Sequence, residues 1–149
     1  MTFTARKGVV SPPYTGSGEL EISNGVVFTG AVGKTQAAPQ TATNTATLTS
    51  TQMLGGILVG TPTAAATYTT LTGTLLEAAL SETIATNDTF DLVIINLGGA
   101  GDIITLAGGS GVSIVGSATV DDAGADINSS GLFRFRRSAA NTFIAYRIA

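Results

Sequence analysis

Residues Gly30 to Gln36 read GAVGKTQ, and a glycine-lysine-threonine step is how a phosphate-cradling P-loop ends. That chemistry needs G-x-x-x-x-G-K-[ST], with the first glycine letting backbone N–H groups curl around a phosphate. With Gly33, Lys34 and Thr35 in register, the first position falls on Phe28, whose bulk opposes the turn. The motif must also open a helix, yet QAAPQTATNT follows, with Pro39 and no hydrophobic period. The segment reads as a loop, with Lys34 a solvated charge.

The acidic residues Asp121, Asp122 and Asp126, with Asn128, supply hard oxygen donors at close spacing, the kind that hold Ca²⁺. EF-hand spacing is absent and no glutamate closes the loop. DDAGADINSSG therefore reads as a polar loop, with a Ca²⁺ site at the three aspartates as the alternative. Arg134, Arg136 and Arg137 form the basic counterpart. Strand alternation puts Arg134 and Arg136 on one face and turns Arg137 the other way. Nucleic-acid binding calls for aromatic rings on the exposed arginine face. Here Phe133 and Phe135 fall on the opposite face and read as core. The arginines are expected to pair with carboxylates, within a subunit or across a subunit boundary.

Two glycine stretches, Gly98-Gly99-Ala100-Gly101 and Gly108-Gly109-Ser110-Gly111, flank Asp102 to Leu106. Neither is G-x-G-x-x-G ahead of a helix, so both read as turns of a meander. The chain has no His and no Cys. That removes the commonest general base, the commonest transition-metal ligand and every thiol nucleophile. Glu77 and Glu82 sit on or beside a short helical pattern rather than in a buried pair. Enzymatic activity, a cofactor and a small-molecule substrate are not expected.

These residues need elements to position them. At 149 residues the chain is one domain, or one domain with an arm. Hydrophobic residues make up 44 % and charged residues only 11 %, with mean hydropathy +0.37. Soluble domains carry about 25 % charged residues. So apolar a surface is expected to be covered in part by other copies, giving a homo-oligomer. Net charge is −3, which draws the chain toward neither nucleic acid nor an anionic membrane. The start, MTFTARKGVVSPPY, lacks the apolar run of a signal peptide, and no apolar stretch approaches membrane-spanning length.

Composition changes near residue 45. Residues 1–45 read as an extended N-terminal arm, with a hairpin over residues 20–29 turning at Asn24-Gly25, where a type I′ turn needs positive φ twice. From residue 46 to 149 the pattern is all-β, with turn signals about every 8 to 12 residues, as in a sandwich or barrel. Strands are expected at Thr45–Ser50, Gly56–Thr61, Ala65–Leu71, Phe90–Leu97, Asp102–Ala107, Val112–Val120, Gly131–Arg137 and Thr142–Ile148. FDLVIINL is nearly continuously apolar, as in a central strand covered on both faces. One short helix is expected over Thr74–Leu80, as a lid over one open end.

Three blocks carry a family resemblance: GGILVGTPTAAATYT (Gly55–Thr69), FDLVIINLGGAGDIIT (Phe90–Thr105), and FRFRR through NTFIAY near the C-terminus. Together they resemble small virion proteins of tailed phages, the capsid decoration (cement) and head-fibre-like proteins, over about residues 46–149. The resemblance implies a jelly-roll-like, trimeric β-sandwich on the outer capsid surface, bound to the major capsid protein and bracing neighbouring shell subunits. It makes the N-terminal arm the shell contact, through Phe3, Arg6, Lys7, Val9, Tyr14 and the hairpin residues Leu20, Ile22, Val26 and Phe28. Two other classes fit: a trimeric fibre or receptor-binding tip, and a non-viral β-sandwich interaction module.

Overall fold

Ten strands and two short helices account for the regular structure in the computed structural model, which describes residues 36–80, 84–124 and 129–149. In chain order they are β1 (Gln40–Ala42), β2 (Ala46–Thr47), α1 (Ser50–Leu54), β3 (Ile57–Gly60), β4 (Ala66–Thr69) and α2 (Gly73–Ala79). There follow β5 (Thr89–Asn96), β6 (Ile104–Ala107), β7 (Val112–Val115), β8 (Thr119–Val120), β9 (Ser130–Ala139) and β10 (Thr142–Arg147). They form two mixed sheets: six strands in the order β1-β3-β5-β9-β10-β7, and four in the order β2-β4-β6-β8.

The chain alternates between the sheets. β1, β3 and β5 lie side by side and parallel in the large sheet. Their successors β2, β4 and β6 do the same in the small sheet. Each passage across and back thus returns the chain to the end where the previous circuit began, so neighbouring strands run the same way. The result is three circuits of a flattened parallel coil. β7 then crosses to the far edge of the large sheet, parallel to β10, and β8 returns to the small sheet antiparallel to β6. The β9–β10 hairpin fills the gap, antiparallel to β5.

A mostly-strand, two-sheet domain is what the sequence pattern implies, but the connectivity differs from a jelly roll. A jelly roll is an antiparallel architecture, whereas five of the eight pairings among the described residues are parallel. Three further differences are local. First, Thr45–Ser50 is not one strand; β2 stops at Thr47 and Ser50 opens α1. Thr49 caps that helix through a reciprocal box with Gln52, each side chain bonding the other residue's backbone N–H. Second, the expected strand Val112–Val120 is broken at Gly116, whose φ of +93° suits glycine and turns the chain into the small sheet. Third, β1 lies ahead of residue 46, so the sheets take in the last residues of the expected arm. The expected hairpin at 20–29 falls outside the described residues.

Both helices connect the small sheet back to the large one, at the same end as the Gly108–Gly111 turn. α2 buries Leu76 and exposes Leu75. Its first residue must be glycine because a Cβ on Gly73 would run into the carbonyl of Asn141 in the β9–β10 turn. Between the sheets lies one core. Leu58, Leu92, Ile94, Phe133, Phe135, Phe143 and Ala145 enter it from the large sheet; Tyr68, Ile104, Leu106 and Val120 from the small. Burying each large apolar side chain stabilises the fold by roughly 1.5–3 kcal/mol. Phe90 stacks on Phe135 at 4.8 Å and meets Phe143 edge-on at 6.5 Å. The buried Tyr68 hydroxyl donates to Ala42 O at 2.9 Å, tying the small sheet to β1.

Candidate interaction surface

The same alternation that fills the core decides what the sheets show outward. On β5, Leu92, Ile94 and Asn96 point in, leaving Asp91, Val93 and Ile95 outside. Register aligns these with their neighbours. Ile57 and Val59 of β3 lie beside Val93 and Ile95. Across β5 and β9, Asp91 faces Arg134 and Val93 faces Leu132. On β10, Ile144 and Tyr146 lie opposite Arg136 and Arg134, with Val115 of β7 beyond Tyr146. Ile148 continues the alternation, its N–H donating to Leu132 O. The outer face is therefore apolar over its centre and one half, with half-buried Ile57, Val59, Val93, Ile95 and Leu132 and with Val115 and Ile148 about half exposed, at 49 % and 53 %.

Charge gathers at the other half of this face. Arg134 grips Asp91 bidentately, Nε to Oδ1 and Nη2 to Oδ2, both at 2.8 Å. The carboxylate raises the Arg134 pKa, through its hydrogen bonds first and its charge second. Arg136 donates to Asn87 Oδ1 at 2.7 Å and to the Tyr146 hydroxyl at 3.1 Å, with its guanidinium 5.9 Å from that ring's centre. Arg137 turns inward at the end of β9, as alternation requires. It meets Glu77 of α2, Nη2 to Oε1 at 2.9 Å and Nε to Oε2 at 3.1 Å. Asn141 N–H adds a bond to Glu77 Oε2 at 2.6 Å. The Arg137 hydrogen bonds, then that of Asn141, hold the Glu77 carboxyl below the ordinary glutamate range.

A fourth arginine, which sequence reasoning passed over, closes the opposite end. Arg147 lies over the Phe133 ring at 5.1 Å and donates to Thr119 O at 2.9 Å and Ser130 O at 3.1 Å. Burial lowers its pKa, opposed by the charge of Asp121. The only signal in the sequence was its place at the end of an alternating strand.

Asp102, Asp121 and Asp122 are parts of loops. Asp122 is nearly buried, at 8 % exposure, and its two oxygens accept the N–H groups of Gly101 (2.9 Å) and Gly124 (2.8 Å). Asp102 accepts Gly99 N–H at 3.0 Å. Fully buried Asn96 donates to Asp102 O and Val120 O and accepts Gly98 N–H, so one amide pins the β5–β6 loop to β8. Among the described residues, no three His, Cys, Asp or Glu side chains gather as metal ligands. Asp126 and Asn128 lie outside the described residues. So do Glu82, Gly33, Lys34, Thr35 and the expected shell contacts Phe3, Arg6, Lys7, Val9, Tyr14, Leu20, Ile22, Val26 and Phe28.

The small sheet shows a different outer face. Thr47 and Thr69 lie side by side, and Thr67, Thr105 and Thr119 form a second row, with Ala107 next to Thr69. Among the described residues of its four strands, none is charged. No family model, curated protein or solved structure matches the chain. Among the described residues, no helix is long and apolar enough to cross a membrane.

Proposed function

We propose that this protein is a structural component of a phage particle, a homo-oligomer that decorates the outer capsid surface and braces the shell by binding the major capsid protein. The observation that supports the reading is the outer face of the large sheet: apolar residues on five of its strands, half-buried or exposed, in a chain with 11 % charged residues. Obligate interfaces resemble a core cut in half, and this face has that character. The block resemblance to decoration proteins supplies the setting, and residues 1–35 the arm that contacts the shell. Repetition over a symmetric shell turns weak single contacts into high avidity.

Copy number in purified particles tests the reading. Stoichiometric coverage of the shell, lost when residues 1–35 are removed, is the expected outcome. A few copies at one vertex indicate the fibre-tip alternative, and absence from particles overturns the virion role.

A further inference from the structure

The outer face of the large sheet is its own complement. We propose that a second copy of the chain docks on it face to face, about a two-fold axis running along the strands between β5 and β9. This rests on the oligomeric reading above and adds to it the face and the symmetry.

Register carries the argument. Asp91 lies directly opposite Arg134, and Val93 opposite Leu132. A rotation about a line between those strands lays β9 of the partner subunit over β5 without shifting it along the strand. Asp91 then meets Arg134 of the partner subunit, and Val93 meets Leu132 of the partner subunit. One strand further out, Ile57 is level with Val93, and Ile148 is bonded level with Leu132. The same rotation therefore sets Ile57 against Ile148 of the partner subunit. A row of four apolar side chains maps onto itself reversed, and the Asp91–Arg134 pair becomes a four-member network. A two-fold axis across the strands fails by contrast. It presses the charged half of one copy onto the apolar half of the other, desolvating charges without partners.

The contact centres on two strands. By register β5 and β9 overlap over seven levels, whereas β3 meets the end of β10 of the partner subunit only where Ile57 faces Ile148 of the partner subunit. The covered area therefore lies at the small end for a specific interface. A two-fold contact yields even copy numbers: a dimer, or a hexamer if a threefold contact joins dimers. The resemblance by itself implies a trimer.

Sedimentation equilibrium of the full chain tests the contact. Val93→Lys, placing an ammonium in the apolar row, should weaken self-association by about a hundredfold or more, while Thr105→Lys on the small sheet leaves it unchanged. Should Val93→Lys lose its circular-dichroism signature of folding, the charge variants decide. Asp91→Arg and Arg134→Asp should each fail to self-associate, yet associate one-to-one on mixing, because only the mixed pair matches charges. Wild-type assembly in Val93→Lys, or no association on mixing, overturns the two-fold contact and leaves the oligomeric reading standing. A wild-type chain monomeric at every concentration overturns both.

Discussion

The two sheets share a core and differ in what they turn outward. The large sheet presents Ile57, Val59, Val93, Ile95, Leu132 and Ile144 with Asp91, Arg134 and Arg136; the small sheet presents threonine and alanine. Strand propensity does not separate them, because valine, isoleucine and threonine all have branched Cβ atoms suited to a pleated surface. Exposed threonine is content in water. Exposed isoleucine is not, and its burial by a partner removes apolar area from solvent. The difference teaches that strands of equal propensity can leave one face polar and the other with apolar area open to solvent.

The largest effect that can break this comparison comes from below both faces. Phe135 is fully buried and stacked on Phe90. Phe135→Ala should cost about 3–5 kcal/mol and loosen both sheets together in one cooperative transition. Hydrogen exchange that accelerates in β5 and β9 but not in β4 and β6 would show that the sheets are separate units instead.

The next effect contrasts two ion pairs. Arg137 and Glu77 are largely covered, with side chains 14 % and 27 % exposed, while Arg134 and Asp91 are 47 % and 40 % exposed. Solvent screens the second pair more, and exposed pairs contribute little. Glu77→Gln should therefore lower the melting temperature of the monomeric fold further than Asp91→Asn. The Glu77 pKa is lowered on folding. Its stabilisation is present in full above the ordinary glutamate value, about 4.3, and is lost as pH falls through the depressed folded value. An acid-unfolding curve should shift toward higher pH in Asp91→Asn less than in Glu77→Gln. Equal shifts would mean that coverage does not distinguish the pairs.

The smallest effect sharpens the contrast from the other side. Thr105 lies in the middle of the small sheet's outer face, half-buried between Thr67 and Thr119. Thr105→Val keeps the branched shape and should change stability by less than about 0.5 kcal/mol. If the substitution makes the protein self-associate more strongly, the hydroxyls of that face act against association, which a melting and sedimentation comparison would reveal.

Much of the element pattern was legible because it rests on local chemistry. The runs Gly56–Thr61 and FDLVIINL and the alternation of LFRFR place β3, β5 and β9 within a residue or two of where they lie, and the helical pattern over Thr74–Leu80 places α2 within a residue at each end. α1 was not expected: Thr49 and Gln52 have capping-box spacing ahead of Met53-Leu54, but the segment read as the end of a strand over Thr45–Ser50. The run of alternating threonines around it imitates a strand and hides the signal. The two-faced covering expected of FDLVIINL is met on one side only within the described residues: Leu92 and Ile94 enter the core, while Val93 and Ile95 stay half exposed. In the candidate surface, Arg134 and Arg136 could be placed on one face in advance. Their separate partners, Asp91 forty-three residues away and Asn87 forty-nine, could not.

By itself, the sequence determined that strands dominate, which side chains of each strand share a face, and that too few charges cover the surface. These follow from composition and a two-residue period, both properties of neighbouring residues. Only the tertiary structure decided that consecutive strands alternate between sheets and so run parallel, that Arg137 and Arg147 close opposite ends of one core, and that Asp91 stands level with Arg134. Those facts depend on which distant strands meet and in what register, and a period of two reads the same in a parallel neighbour as in an antiparallel one.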